Sequence, residues 1–351
     1  MPEKKRIYYF DALRGLAIIG VVILHVSITA PTAFTEDHFL WWVTVSYKTI
    51  FSWAVLVFFM ISGALLLSKQ ESISSIFTKR LPKLLIPFLF WNLVYAILDS
   101  IVNKDHTILF NLYRSLSGPI IYHFWFLYIL IGLYIITPFL RVFLISAKRK
   151  DLEFFLLLSL ITNSLIPFIE KFGNIEVGLH IPLVTGYVGY YMLGYYLNNY
   201  DISSSVKRLS YLLGLVSLPV ILLSTYFLTS QTGQNNYFFL EPLSITVFFL
   251  TLAIFLLFKE MSFPKNNFIP RLASKIDINR VCFGIFFAHV AVLGILEGGK
   301  LGFKLNENIT NPIFGVLINS FVILILCFSF FYTLELLKKN KYIAFISKLF
   351  Y

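Results

Sequence analysis

Apolar segments of about twenty residues follow one another along almost the whole chain, and this pattern constrains the fold more than any other feature. A segment of this length spans a bilayer as an α-helix, whereas the strands of membrane β-barrels alternate over about ten residues. Of the 351 residues, 58% are hydrophobic and 13% are charged, against about 25% charged in soluble domains. The sequence therefore predicts an all-α, polytopic integral membrane protein.

We predict about ten membrane-spanning helices, which form a single membrane domain over residues 1–351. The basic start and the first apolar segment are similar to a signal peptide, but the segment is long enough to span and many spans follow. We therefore expect it to be retained as an anchor. No internal repeat is evident. The predicted spans are 11–30, 43–67, 84–102, 123–143, 152–169, 181–198, 209–228, 241–258, 281–297 and 313–337.

The distribution of basic residues predicts the orientation. With the N-terminus in the cytoplasm, 22 of the 29 Lys and Arg residues fall in cytoplasmic segments and six in external segments, and Arg14 is the remaining one. Such an excess marks cytoplasmic loops, so both termini are expected there. The net charge of +11 then reflects topology, and we expect no nucleic-acid partner. The six residues counted as external are Lys48, Lys104, Arg114, Lys171, Lys300 and Lys304.

Polar side chains interrupt the first span, and two of them share one face. Arg14 and His25 are eleven residues apart, which is 20° from three full turns and about 16 Å along the axis. Asp11 lies one turn before Arg14. The arrangement suggests an anionic ligand that binds Arg14 at the cytoplasmic end and brings its reactive part to His25. The alternative is that Arg14 reaches lipid headgroups and His25 hydrogen-bonds a neighbouring helix.

Several segments, in this order, resemble the membrane acyltransferase-3 family. The first is Asp-x-x-Arg-Gly, starting at Asp11, with ten residues between Arg14 and His25. The others are FFMISGALLL (58–67), RLPKLLIPF (80–88), HFWFLYILIGLYIITPFLR (123–141) and FGIFFAHV (283–290). Together they cover nearly the whole chain.

The resemblance implies an O-acyltransferase of the bacterial cytoplasmic membrane. Its donor would be acetyl-CoA or another acyl-CoA such as succinyl-CoA, and its acceptor a hydroxyl of a cell-surface or lipid-linked glycan. His25 would act as a general base or as the nucleophile of an acyl-histidine intermediate, with Arg14 and Asp11 in the same catalytic group. No metal is expected, because Cys282 and Cys327 fall in apolar runs and suit core packing.

For such a reaction, several further residues are candidates for binding the two substrates. Arg80 and Lys83 share a face at the start of the third span and, with Arg14, would bind the phosphates of coenzyme A. Cytoplasmic positive charge alone also accounts for both residues. His123, Tyr128 and His289 are candidates for binding the acceptor. Interfacial anchoring is the alternative for His123, and a packing hydrogen bond is the alternative for His289.

One departure from the family bears on the acceptor. Family members fused to an extracytoplasmic esterase-like domain usually carry a glutamate shortly after the fourth-helix tryptophan, but Phe126, Leu127, Tyr128 and Ile129 follow Trp125 here. This favours a surface or lipid-linked glycan over peptidoglycan. Two rival functions are a glycan or lipid flippase without acyl chemistry and a non-catalytic scaffold. Neither specifically requires a cation and an imidazole on one helix face.

Overall fold

The computed structural model describes residues 6–29, 34, 38–179, 181–182, 184–299 and 311–351. Every regular element in these residues is helical. Two short turns are 3₁₀-helical, Tyr122–Phe124 and Phe238–Leu240. Two others are π-helical, Ile76–Arg80 and Ile161–Leu165. The α-helices are α1 (Tyr8–Thr29), α2 (His38–Phe51), α3 (Leu56–Leu66), α4 (Ile73–Ser75), α5 (Leu81–Val102), α6 (Ile108–Ser117), α7 (Trp125–Ser146), α8 (Arg149–Leu160), α9 (Ile166–Gly173), α10 (Val188–Asn199), α11 (Ser204–Thr232), α12 (Ile245–Glu260), α13 (Phe268–Lys275), α14 (Ile278–Glu297), α15 (Pro312–Leu337) and α16 (Lys341–Phe350).

Within the described part, nine helical stretches are long and apolar enough to cross a membrane, so the chain is a multi-pass membrane protein. They correspond to nine of the ten predicted spans, and several extend beyond the predicted ends. Sequence analysis did not identify the short helices α6, α13 and α16. The nine stretches are Tyr8–Ile28, His38–Leu66, Ile73–Val102, Ile108–Ser146, Arg149–Gly173, Ser204–Thr232, Phe238–Glu260, Ile278–Glu297 and Pro312–Leu337.

The sixth predicted span, 181–198, differs from the others because its helix, α10, has only 12 residues. The chain before α10 makes a turn at Gly186, whose φ is 79°. Asn163 holds this turn, since its Oδ1 accepts from the Gly186 N–H at 2.6 Å and its Nδ2 donates to the Val184 carbonyl at 3.1 Å. The other end of α10 meets Lys259, whose Nζ donates to the Leu197 carbonyl. At 1.5 Å per residue α10 is about 18 Å long, shorter than a hydrocarbon core of about 30 Å, so the helix alone does not form the sixth predicted span.

Two glycines allow α3 and α10 to cross with their backbones in contact. A Cβ on Gly63 would lie 1.8 Å from the Tyr191 carbonyl oxygen, and a Cβ on Gly194 would lie 1.9 Å from the Met60 carbonyl oxygen. No side chain fits at either distance. Small residues at such positions let membrane helices approach closely, which maximises van der Waals contact where no hydrophobic driving force operates. The crossing holds α10 in the centre of the bundle.

Segments predicted to be cytoplasmic lie together on one face of the bundle, which we call the basic face. Arg141, at the end of α7, donates through Nε to the Leu66 carbonyl at 3.1 Å. Arg149 donates to the Tyr196 hydroxyl, and Arg6 donates to the Ala273 carbonyl. Contacts of this kind join the ends of α3, α7, α10 and α12 with the starts of α1, α8 and α14. Of the basic residues counted in the sequence, Lys4, Lys5, Lys300 and Lys304 lie outside the described residues.

Both ends of the set of spanning helices lie on the basic face. The start of α1 contacts the α13 segment through Arg6 and Ala273. The end of α15 contacts the residue before α14, because the Glu335 carboxylate accepts from the Asp277 N–H at 3.0 Å. Lys338 donates to the same carboxylate at 2.5 Å. This placement agrees with the predicted location of both termini on one side.

One residue counted as external has a different location. Lys48 lies within α2, which begins at His38 and continues into a membrane-spanning stretch. The first turn of α2 carries large apolar residues, so the span starts five residues earlier than predicted. Lys48 is buried, with 8% of its surface exposed. It is therefore an intramembrane cation rather than a loop residue.

We expect Gly63→Ala to lower the thermal unfolding midpoint in detergent by several degrees. The new methyl group meets backbone rather than a movable side chain, and overpacking of this kind costs about 1–3 kcal/mol. Gly132→Ala on α7 is the matched control, since no atom lies within 4 Å of its Cβ position. An unchanged midpoint for Gly63→Ala would contradict the close crossing of α3 and α10.

Candidate functional site

Three imidazole rings meet inside the bundle. The ring centroids of His25 and His289 are 5.1 Å apart, those of His123 and His289 are 5.0 Å apart, and those of His25 and His123 are 5.8 Å apart. Each residue is at most 6% exposed. We call this group the histidine cluster. It unites the predicted catalytic residue with two of the three residues predicted to bind the acceptor.

The cluster forms where three elements reach the same depth. His25 lies near the end of α1, which starts at the basic face, and His289 lies on α14, which starts at the same face. His123 lies in the 3₁₀ turn that precedes α7, and α7 runs back toward the basic face. All three imidazoles are therefore far from the basic face, as the 16 Å rise from Arg14 to His25 predicts.

The hydrogen bond of His289 determines which of its nitrogens carries the proton. Its Nδ1 lies 3.0 Å from the Ile285 carbonyl oxygen, which only accepts hydrogen bonds. In the neutral ring Nδ1 is therefore the donor and Nε2 holds a lone pair. Within the described part of the chain, His289 Nε2 and His25 Nδ1 form no hydrogen bond. Both buried nitrogens are thus available to a ligand or to each other.

Aromatic side chains enclose the histidine cluster. The rings of Phe286 and Tyr122 lie 5.3 Å from His123 and 5.0 Å from His25, respectively. Tyr95 fixes α5 to α14, because its hydroxyl donates to the Phe287 carbonyl at 2.7 Å. It also accepts from the Ala291 N–H at 3.1 Å. Sequence analysis missed Tyr95 and Tyr122, since nothing in a single apolar helix shows which aromatic residue faces another helix.

Arg14 lies at the other end of the same stripe of α1 and is part of a charge chain. Its Nη1 is 3.5 Å from Asp11 Oδ1, and Arg6 Nε donates to Asp11 Oδ2 at 2.6 Å. Asp11 is buried, whereas the Arg14 side chain remains 11% exposed. Asp11 thus compensates two guanidinium groups at the basic face. Because Asp11 is 14 residues before His25 on α1, it interacts with the arginines at the start of the helix rather than with the histidine cluster.

The hydroxyl of Tyr134 lies near both Arg14 and Arg80. Ser62 on α3 is also beside this hydroxyl. His123 lies at the depth of His25, and α7 runs antiparallel to α1. Because Tyr134 follows His123 by eleven residues, as His25 follows Arg14, Tyr134 lies at about the depth of Arg14. Three helices therefore present polar groups near Arg14. Tyr134 is a third residue of the site that sequence analysis missed.

Arg80 and Lys83 differ in their surroundings. Arg80 Nε donates to Glu71 Oε2 at 3.2 Å, and Arg141 Nη2 lies 3.8 Å from the same oxygen. The hydrogen bond from Arg80 lowers the pKa of the Glu71 carboxyl, so the pair is charged at neutral pH. Lys83 is exposed and forms no ion pair within the described residues. Of the two residues, Lys83 is the freer cation.

The third predicted acceptor-binding residue, Tyr128, lies away from the histidine cluster. Its hydroxyl donates to the carbonyls of Ser115 and, at 3.2 Å, Gly118 at the end of α6. Its ring packs against Phe88 at 5.2 Å. The side chain therefore connects α7 with α6, and its hydroxyl faces the α6 end.

No group of three or more His, Cys, Asp or Glu residues in the described part of the chain has an arrangement that could hold a metal ion. Cys282 and Cys327 are both buried and are not disulfide-bonded. Cys282 lies near the Arg14 end of the site on α14.

Comparison with protein families matches residues 7–332 to the acyltransferase domain of the acyltransferase-3 family. The match covers nearly the whole chain, including the histidine cluster and the cationic residues at the basic face. Searches of curated proteins and of solved structures found no match.

We expect Asp11→Asn to lower the thermal unfolding midpoint, because two guanidinium groups lose their shared carboxylate. Removing one partner of a buried ion pair costs about 3–5 kcal/mol, and the partial exposure of Arg6 places the loss toward the lower value. Asp105→Asn, at an exposed position between α5 and α6, should leave the midpoint unchanged. Equal midpoints for both variants would show that Asp11 does not stabilise the start of α1.

Proposed function

Because the chain belongs to the acyltransferase-3 family, we propose that it is an O-acyltransferase of the bacterial cytoplasmic membrane. It would move an acetyl or succinyl group from cytoplasmic acyl-CoA to a hydroxyl of a cell-surface or lipid-linked glycan. The observation that carries this proposal is the placement of Arg14 and His25 on one stripe of α1. One residue lies at the basic face, and the other lies in a buried cluster of three imidazoles.

The basic face suits the donor. Coenzyme A carries phosphates at one end and the thioester at the end of a long flexible arm. Arg14 and Lys83 would bind the phosphates, with Arg80 able to join them by exchanging its contact with Glu71. Guanidinium groups suit phosphate because they donate two parallel hydrogen bonds. Arg14 remains partly exposed, as a residue that meets a ligand from the cytoplasm must be.

The stripe between Arg14 and His25 is apolar. Ile18 and Val21 lie on it at helical spacing, and both are buried. An acyl-pantetheine arm that follows this stripe would contact hydrocarbon and meet little water. Excluding most of the water would slow hydrolysis of the thioester relative to transfer without abolishing it, so slow hydrolysis would remain measurable when no acceptor is present. The imidazole of His25 would then be the first polar group of α1 that the thioester reaches.

Two chemical roles for His25 remain open. As a base, it would remove the proton of the acceptor hydroxyl while that oxygen attacks the thioester carbonyl, and the proton would pass to the departing thiolate. As a nucleophile, its nitrogen would attack the carbonyl and release the thiolate. The acceptor hydroxyl oxygen would then attack the acyl-imidazole carbonyl, the C–N bond would break as the ester forms, and the hydroxyl proton would pass to the released imidazole nitrogen. Both roles need a neutral imidazole, and burial favours that form.

His289 and His123 would assist at the same place. The lone pair on His289 Nε2 would accept a hydrogen bond from an N–H of His25 or from the acceptor hydroxyl, because Nδ1 is the donor to Ile285. His123 lies beside both rings and would contact the acceptor. Tyr128 would contribute to acceptor binding indirectly, because its hydroxyl hydrogen-bonds to backbone carbonyls at the end of α6.

A flippase remains the rival function, since it too would need buried polar groups. The histidine cluster favours acyl transfer, because three neutral imidazoles offer proton acceptors and nucleophiles but little charge to attract a glycan. A scaffold protein would have no use for unpartnered buried nitrogens, which destabilise a membrane bundle.

The test uses purified protein and radiolabelled acetyl-CoA or succinyl-CoA. Wild type should consume the thioester, and His25→Ala should do so at least ~100-fold more slowly, as expected for loss of a base or nucleophile. His25→Ala should still bind the donor, whereas Arg14→Ala should bind it at least ~10-fold more weakly through loss of a charge-assisted contact. Label that stays on the wild-type protein after a neutral denaturing quench, is lost on mild acid treatment and is absent from His25→Ala would indicate an acyl-histidine.

His106→Ala is the matched control, because His106 bonds to Asp99 at 2.8 Å between α5 and α6, apart from the histidine cluster. It should keep the wild-type rate. If wild type neither binds nor consumes an acyl-CoA, the acyltransferase proposal is wrong and the flippase becomes the better hypothesis.

A further inference from the structure

Lys48 is a buried cation that the proposed donor site does not use. Its Nζ lies 3.3 Å from the Tyr237 hydroxyl and 4.7 Å from the centre of the Tyr237 ring. Among the described residues, no carboxylate lies within ion-pair distance of this ammonium group. Two of its three N–H donors are therefore left for another partner.

The depth of Lys48 excludes a simple surface role. It lies ten residues after the start of α2, about 15 Å along the helix axis, which is farther than a lysine side chain extends. Where α1 and α2 pack together, Gly20 lies against Phe51. Because α2 runs opposite to α1, Lys48 is level with Ile23, within one turn of His25. An intramembrane ammonium group at that depth is costly, and such residues generally serve a function.

The helix face that carries Lys48 continues into a group of aromatic residues away from the basic face. Trp41 is two turns before Lys48 and donates through Nε1 to Asn235 Oδ1 at 2.7 Å, which fixes its ring. Trp42 stacks on Tyr226 with centroids 5.1 Å apart, and Tyr226 is 39% exposed. Rings of this kind present flat apolar faces together with polar edges. Trp41 is fully buried and supports the group, whereas Trp42 and Tyr226 are partly exposed and offer an aromatic surface for the apolar face of a sugar.

We propose that Lys48 binds a phosphate group carried by the acceptor glycan, at the depth of the histidine cluster. This rests on the proposed function and deepens it, since it limits the acceptor to an anionic glycan such as a lipid-linked sugar phosphate. The Tyr237 hydroxyl positions the ammonium group, and phosphate would take the two remaining N–H donors. Binding offsets the cost of the buried charge only when the acceptor is present.

The test measures the thermal midpoint of purified protein against increasing concentrations of glucose 1-phosphate, with glucose as the uncharged comparison. Glucose 1-phosphate should raise the midpoint of wild type in a saturable way, because a ligand that binds only the folded state stabilises it. Lys48→Met should abolish this rise without lowering the midpoint of the unliganded protein, since it removes an unpaired buried charge.

Lys171→Met is the matched control, because Lys171 is an exposed lysine near the end of α9. It should respond like wild type. Tyr237→Phe should also keep the response, because the ammonium group remains. If Lys48→Met responds like wild type, or if glucose 1-phosphate stabilises neither protein, the proposal is wrong. Lower unliganded midpoints for both Lys48→Met and Tyr237→Phe, with no ligand response in wild type, would assign Lys48 a purely structural role.

A further arm uses short-chain phosphatidate. Stabilisation by phosphatidate but not by glucose 1-phosphate would assign the site to a lipid headgroup and overturn the acceptor assignment. None of these measurements needs an acyl donor. The two proposals can therefore fail separately. If the protein consumes acyl-CoA but does not respond to glucose 1-phosphate, only the Lys48 proposal is wrong. If it responds to glucose 1-phosphate but does not consume acyl-CoA, only the acyltransferase proposal is wrong.

Discussion

A bilayer interior gives polar side chains no water, so each one buried in this bundle must be satisfied by another protein group or left for a ligand. Most are satisfied. Asp11 accepts from Arg6 and lies beside Arg14, and Glu335 accepts from the Asp277 N–H and from Lys338. Tyr95 both donates to and accepts from the backbone of α14. These contacts also fix the relative depth of helices that hydrophobic packing alone would allow to slide.

Some buried polar groups form no such contact with described residues, and four of these atoms belong to the histidine cluster: Nδ1 of His25, both nitrogens of His123 and Nε2 of His289. Lys48 has two further N–H donors beyond its contact with Tyr237. Lys48 and the cluster lie within about one helical turn of the same depth, far from the basic face. Three neutral imidazoles suit proton transfer, and an ammonium group suits an anion. A transfer reaction between two substrates needs both kinds of group close together, one kind to accept a proton and the other to bind the charged substrate.

Helical periodicity predicted that Arg14 and His25 share a face, because that relation depends on a single helix. It did not predict that His123 and His289 meet His25, since contact between helices depends on their relative depth and rotation. The Gly63–Tyr191 approach, for example, is invisible without α10 in place. Helical periodicity also did not predict ion pairs between a helix and a loop, such as the one between Arg80 and Glu71. Counting Lys48 as external was wrong, because Lys48 lies inside the spanning stretch His38–Leu66, and the predicted span 43–67 already included it.

The arrangement also gives the proposed reaction a direction. In the proposed reaction, Arg14 and its neighbours would hold the donor's charged end at the basic face, and the apolar stripe through Ile18 and Val21 would favour an uncharged arm. The acyl carbon would then meet His25 about 16 Å from the bound phosphates. Desolvation cost would exclude from this stripe an acceptor that carries its own phosphate. Such an acceptor would approach the histidine cluster from the side of Trp42 and Tyr226, where Lys48 would compensate its charge. Acyl transfer would then occur without either substrate crossing the bundle.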